Sequence, residues 1–236
     1  MMASASDIAA NVSRVLDQIA EGAVRAGRDP SAIRLVAVTK TFPPARIQEA
    51  YECGLRDFGE NRVQEFRQKL PSLRVPGALF HLIGHLQSNK VQQAMAFDWI
   101  QTLDSERLAL RISQAAVQAE KTIPLLLEVK LSEEAAKTGV AETELIPLVS
   151  TVASLEGLDL RGLMTIPTYT EDPEEARPYF RRLRELRDRL QDAGFPQVRE
   201  LSMGMTRDFR VAIEEGATIV RIGTAIFGPR SATRSE

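Results

Sequence analysis

The sequence predicts an α/β protein built as a single (β/α)8 barrel, a TIM barrel, preceded by one N-terminal helix. Eight short apolar runs are separated by stretches with helical periodicity. The 236 residues suffice for one large barrel, and no Pro-, Gly- or Ser-rich linker interrupts the middle, so residues 1–236 are expected to form one domain. The polar residues that close several runs fall where such a barrel carries its reactive groups, at the C-terminal ends of the strands. A doubly wound open sheet alternates in the same way, but the count of eight favours closure.

The leading helix is marked by Ile8, Val12, Val15, Leu16, Ile19 and Ala23 on one face, with Gly27 as its stop. Ile33 to Val38 is a short β-branched run ending at Thr39-Lys40-Thr41 and reads as a buried strand. After Pro43-Pro44, Arg46 to Cys53 reads as a helix closed by Gly54, and Leu55 to Gly59 as the second strand, before Glu60-Asn61. The rhythm continues with a helix through Val63, Phe66 and Leu70, a strand at Leu79 to Ile83, a helix from Ser88, a strand at Trp99 to Leu103 and a helix from Ser105 to Glu120. Leu125 to Val129 and Leu158 to Met164 are the fifth and sixth strands, joined by a helix from Thr143 that ends before Gly157. Asp172-Pro173-Glu174-Glu175 combines a carboxylate cap, proline in the first turn and acids at the positive end of the helix dipole, so a helix is expected from there to Gly194. Arg199 to Ser202 and Thr218 to Ile222 complete the strands, flanking a short helix from Arg207 to Glu215. The ends, 1–5 and 230–236, are expected to be flexible.

Composition narrows the function. Thirty basic against 32 acidic residues give a net charge of −2, which offers no general attraction to nucleic acid or an anionic membrane. The arginines from Arg181 to Arg189 alternate with Leu, Glu and Asp at helical spacing and read as a salt-bridged, solvated face. Cys53 is the single cysteine, which excludes an intrachain disulfide and a cysteine-built zinc site. Without a basic, apolar leader or an apolar run of ~20 residues, the protein is expected to be cytoplasmic.

The candidate site follows from the barrel. Ser202-Met203-Gly204-Met205-Thr206 precedes a short helix, so a hydroxyl, a flexible backbone and the unpaired N–H groups of a helix start can converge on a phosphate, and Gly223-Thr224 can add donors. Phosphate sites in such barrels are frequently built after strands 7 and 8. Taken alone, Lys40 reads as a surface lysine. Beside a phosphate site, in a desolvated mouth that favours the free amine, it can condense with an aldehyde.

Ala37-Val38-Thr39-Lys40, Phe58-Gly59-Glu60-Asn61, Phe80-His81-x-Ile83-Gly84-x-x-Gln87-Ser88-Asn89-Lys90, Gly162-Leu163-Met164, Leu201-Ser202-Met203-Gly204-Met205 and Val220-Arg221-Ile222-Gly223-Thr224 occur in this order. Together they resemble the blocks of pyridoxal 5'-phosphate (PLP) binding proteins of the alanine racemase N-terminal-domain type, and in particular the PLP homeostasis proteins. The resemblance implies PLP as cofactor, held as a Schiff base by Lys40, with phosphate contacts from Ser202, Gly223 and Thr224. It further implies Arg221 near the pyridine nitrogen and Asn61 lining the same pocket. An arginine there disfavours protonation of the ring nitrogen and mutes carbanion chemistry. The sequence departs from the resembling pattern at Lys130, where asparagine is usual, and at Thr206, where serine is usual.

The resembling racemases use a second acid/base group supplied by a C-terminal β domain and a partner subunit, which are not expected here. Of the three tyrosines, Tyr51 and Tyr179 read as helical and Tyr169 alone follows a strand on the active face. No residue is therefore assigned a catalytic role, and a monomeric PLP carrier that meets apo PLP-dependent enzymes is expected rather than an enzyme. An amino acid racemase-like enzyme and a class I aldolase-type barrel with a lysine Schiff base are the alternatives. His81 and His85, about 13 Å apart in extended geometry, cannot share one ion, and no metal is expected. Lys90 and Lys130 are the rival lysines.

Overall fold

The computed structural model describes residues 7–131 and 138–229. The expectation for the ends, 1–5 and 230–236, falls outside them. Eight strands, β1 (Arg34–Val38), β2 (Asp57–Glu60), β3 (Leu79–Leu82), β4 (Trp99–Leu103), β5 (Ile123–Glu128), β6 (Leu158–Met164), β7 (Glu200–Ser202) and β8 (Ile219–Ile222), close into a barrel in sequence order. All pairings are parallel, and β8 returns to β1 with Val36 opposite Arg221, so the expected closure is met.

The helices are α1 (Ile8–Arg25), α2 (Pro44–Glu52), α3 (Val63–Lys69), α4 (Val91–Ala94), α5 (Glu106–Gln118), α6 (Leu145–Ala153), α7 (Arg177–Asp192), α8 (Phe209–Glu214) and α9 (Thr224–Phe227). The side chain of Asp7 caps α1 by accepting the Ala10 N–H at 3.1 Å, and Ile8, Val12, Val15, Ile19 and Ala23 are buried, as their spacing requires. At the other end Arg28 N–H reaches Ala23 C=O at 2.9 Å while Gly27 takes a φ of +65°, a left-handed stop that glycine adopts without a Cβ penalty. The predicted helix at Asp172 starts as a 3-10 turn, Pro173–Ala176, and becomes α-helical only at Arg177. Its cap is as expected, with Asp172 Oδ1 accepting the Glu174 N–H at 2.9 Å.

The arginine face of α7 is salt-bridged. Arg177, Arg181 and Arg184 all reach the carboxylate of Glu215, at 3.2, 3.1 and 3.0 Å, and Arg182 pairs with Glu142 at 2.6 Å. That ties α7 to the end of α8.

Strand alternation sorts the core. Leu35, Ala37, Phe58, Phe80, Leu82, Ile100, Leu163, Leu201, Val220 and Ile222 face the helices in the main core. Val36, Trp99, Leu126, Met164 and Ile219 form a separate apolar cluster. His81, Gln101, Ser202 and Arg221 are buried among the same strands, so polar side chains share the interior with that cluster. None of the described helices is long and apolar enough to cross a membrane.

Candidate functional site

Lys40 sits in a tight turn just beyond β1. Thr39 N–H bonds to Gly59 C=O at 2.9 Å, continuing the strand pairing, and Phe42 N–H bonds back to Thr39 C=O at 3.1 Å. Inside the turn Thr41 has a φ of +70°, an outlier for a β-branched residue that persists only where its surroundings enforce it. They do so here: Thr41 N–H donates to Glu65 Oε1 at 2.5 Å. Lys69 Nζ donates to Thr39 C=O at 2.9 Å and to Glu60 Oε1 at 2.8 Å, and lies 2.7 Å from Glu65 Oε1. Burial pushes the Glu60 carboxyl up from its usual range, opposed by the Lys69 ammonium and the Thr39 hydroxyl. The residues on both sides of half-buried Lys40 are thus held by one buried ionic cluster.

On β8, Arg221 is 3% exposed. Its Nη1 donates to Ser202 Oγ at 2.6 Å and its Nη2 to Thr165 C=O at 2.9 Å. Burial lowers its pKa to about 10, against the pull of the Asp208 and Glu128 carboxylates, so the guanidinium remains charged at neutral pH. Ser202 Oγ donates onward to Gln101 Oε1 at 2.7 Å, and Gln101 Nε2 meets His81 Nδ1 at 3.0 Å. Nε2 of His81 meets Asp57 Oδ1 at 2.9 Å.

The loop after β7 is built on a close approach. Gly204 has a φ of +89°, and a Cβ on it would lie 2.6 Å from the Ala212 Cβ and 2.9 Å from the Phe209 Cα, so only glycine lets the loop seat on α8. The carbonyl of Gly204 accepts the Arg221 N–H at 3.0 Å, and Asp208 Oδ1 accepts the Met205 N–H at 2.6 Å. Thr206 Oγ1 lies 3.5 Å from Ala225 N, at the first turn of α9. Gly223, just ahead of α9, lies against Val38, with 3.3 Å between the Val38 Cβ and the position its own Cβ would take. The loops after β7 and β8 therefore meet each other and the strand that leads to Lys40.

Asn61 follows β2, and its backbone packs on Gly84 so closely that a Cβ there would meet Asn61 O at 2.3 Å. Its Oδ1 is buried and has no hydrogen-bond partner among the described residues, an acceptor that a polar ligand can satisfy.

The expected site residues are distributed as follows. Lys40, Asn61, Gly223 and Thr224 all follow C-terminal strand ends, Gly223 and Lys40 on neighbouring strands. Arg221 and Ser202 lie inside the barrel, with the Ser202 hydroxyl engaged by Arg221 and Gln101. Among the rivals, Lys130 is exposed and Lys90 half-buried. His81 is enclosed in the core, whereas the exposed ring of His85 lies 3.7 Å from Asp104, so the two imidazoles have separate surroundings. Tyr169 is 68% exposed, with the Arg207 guanidinium 5.0 Å from its ring centre.

Sequence reasoning missed Glu60, Lys69 and Gln101; His81 reads from sequence as a satisfied or pocket-lining histidine, and the structure buries it with partners on both ring nitrogens. The signal was present: strands covered on both faces should read as continuous apolar runs, so Gln101 within Trp99–Leu103 and His81 within Leu79–Leu82 had to find interior partners.

Residues 11–231 match the family described as alanine racemase, N-terminal domain. The chain is 47% identical over 220 residues to the pyridoxal phosphate homeostasis protein of Aquifex aeolicus (strain VF5), covering 93% of this chain and 96% of that one. A crystal structure of an unknown protein from Bifidobacterium adolescentis superposes with a TM-score of 0.88 at 40% identity, over 96% of this chain and 98% of that one. PipY of Synechococcus elongatus PCC7942, solved with PLP bound, superposes with a TM-score of 0.79 at 39% identity, over 89% of this chain and all (100%) of that one.

Proposed function

Because this chain belongs to the alanine racemase N-terminal-domain family, and within it to the pyridoxal phosphate homeostasis proteins, we propose that it binds PLP through Lys40 and holds it for supply to other proteins. The ε-amine of Lys40 condenses with the aldehyde, releasing water and leaving a Schiff base. The backbone N–H groups at Gly223 and Thr224, with the Ser202-to-Thr206 loop, receive the phosphate. Asn61 lines the pocket, and its Oδ1, without a partner among the described residues, is an acceptor for the ligand.

The observation that carries this reading is the meeting of three segments: Gly223 is packed on Val38, two residues ahead of Lys40, while the Gly204 carbonyl is bonded to the Arg221 N–H. An amine and a set of backbone donors thus share one rim, with a cation enclosed in the barrel beneath it. PLP carries an aldehyde, a phosphate and a ring nitrogen that match them. A buried arginine facing the ring nitrogen keeps it unprotonated, which makes PLP here a poor electron sink and favours carriage over turnover. Ser202 contributes to the phosphate through its loop backbone, its hydroxyl being bonded to Gln101 and Arg221.

We read the protein as a monomeric cytoplasmic carrier that hands PLP to apo PLP-dependent enzymes. Titration of the purified protein with PLP, followed by absorbance and by retention through gel filtration, tests this. Wild type is expected to develop a protein-bound band and to keep it, and Lys40→Ala to lose both. An unchanged band in Lys40→Ala contradicts the role of Lys40, and robust racemisation of free alanine by the loaded protein contradicts carriage.

A further inference from the structure

Four hydrogen bonds run head to tail through the barrel, from Arg221 to Ser202, Gln101, His81 and Asp57. With the Gln101 carbonyl toward Ser202, the donors follow in one direction. A guanidinium only donates, so Ser202 Oγ accepts from Arg221 and its own hydrogen goes to Gln101 Oε1. The Gln101 amide then presents Nε2–H to His81 Nδ1, which must be the bare nitrogen. The imidazole hydrogen sits on Nε2 and is donated to the Asp57 carboxylate. Asp57 and Arg34 open β2 and β1 at the bottom rim, 3.7 Å apart, and the Arg34 guanidinium lies 5.0 Å from the Trp99 ring, which itself stacks on His81. The chain thus spans from a partly exposed ion pair to the most deeply enclosed cation of the site.

We propose that Gln101 and His81 are positioning residues for Arg221, forming a one-way relay in which Asp57 fixes the tautomer of His81 and, through it, the orientation of the Gln101 amide and the direction of the Ser202 hydroxyl. The inference rests on the reading that Arg221 faces the ring nitrogen of PLP. The relay keeps Ser202 as an acceptor toward Arg221, and with the Thr165 carbonyl it holds the guanidinium plane by two of its five N–H donors. Neither Gln101 nor His81 needs to touch the ligand. An inverted relay, with hydrogen on His81 Nδ1, would turn the Gln101 amide over and aim two donors at Ser202 Oγ.

The test combines two readouts. Nitrogen-15 NMR of the ligand-free protein reports each imidazole directly, since His81 and His85 are the only histidines. The expected signal for His81 is a neutral ring protonated at Nε2. In Gln101→Glu the carboxylate still accepts from Ser202 but cannot donate to His81, which becomes an imidazolium between Asp57 and Glu, with Arg34 and Asp98 as the other charges nearby. That change is the readout of Gln101→Glu: the His81 signal is expected to turn from a neutral ring to a charged one, whereas a Gln101 that does not donate to His81 leaves it neutral. Gln101→Leu removes the acceptor for Ser202, shifts the bound-PLP spectrum and weakens binding about tenfold, the worth of one hydrogen bond.

A merely structural Gln101 predicts a lower unfolding midpoint for Gln101→Leu with the bound-PLP spectrum of the folded protein unchanged. A wild-type His81 protonated at Nδ1, or a folded Gln101→Leu protein with wild-type spectrum and affinity, overturns the relay. Failure of wild type to bind PLP sinks the functional reading, and the NMR arm still decides the relay on the ligand-free protein.

Discussion

Thr39 and Glu60 are joined across the β1–β2 pairing by a hydroxyl-to-carboxylate hydrogen bond of 2.7 Å, and the oxygen that receives it also takes the Lys69 ammonium at 2.8 Å. The turn carrying Lys40 is thereby clamped to a charge pair that water hardly reaches, with side-chain exposures of 9% for Lys69 and 0% for Glu60.

Removing one member of such a pair leaves the other charge buried and unpaired. Lys69→Met is expected to destabilise the protein by about 3 kcal/mol in urea unfolding. Adding Glu60→Gln to it should recover a substantial part of that loss, because the stranded carboxylate is gone. Equal stability of the single and double variants would show that the pair is not coupled.

His81 makes a pH prediction. Burial lowers its pKa below the ordinary value despite the Asp57 carboxylate, with the Arg34 charge acting in the same direction as burial and Asp98 against it. As pH falls below about 6.5, the unfolded chain takes up a proton that the folded chain refuses, so the fold loses up to ~1.4 kcal/mol per pH unit until the folded-state pKa is reached. Thermal unfolding between pH 7.5 and pH 5 should show a steeper loss in wild type than in His81→Gln. Parallel pH profiles would contradict the assignment of His81 as a neutral core histidine.

Two glycines with similar backbone angles should respond differently to alanine. Gly54 has a φ of +94° and nothing within 4 Å of an added Cβ, so Gly54→Ala should cost about 1 kcal/mol from backbone strain alone. Gly204, at +89°, meets the Ala212 and Phe209 atoms, and Gly204→Ala should cost about 3 kcal/mol as overpacking adds to strain. It should also weaken retention of inorganic phosphate or PLP, because the loop lifts from α8. Equal costs at the two positions, measured by urea unfolding, would show that the contact with α8 yields freely.

The barrel was legible in the sequence because its strands are short apolar runs punctuated by glycine and proline. Trp99–Leu103 and Leu158–Met164 occur as expected, whereas β5 begins at Ile123 rather than Leu125, since the pairing of Ile123 with Leu158 extends it. Lys40 was visible only through its company, the residues after β7 and β8. What escaped was the network beneath. Spacing places Ser202 at a strand end but does not disclose that its hydroxyl is enclosed between Gln101 and Arg221, residues 101 and 19 positions away. Lys69 ends a helix, where a lysine is ordinarily solvated, and only the fold brings its ammonium to Thr39 and Glu60.

The role of Lys40 is tested most directly by borohydride reduction of the PLP-loaded protein followed by peptide mass mapping. The reduced adduct is expected on the peptide containing Lys40, and to vanish in Lys40→Ala. An adduct on Lys69, Lys90 or Lys130 in the wild-type protein would contradict the account.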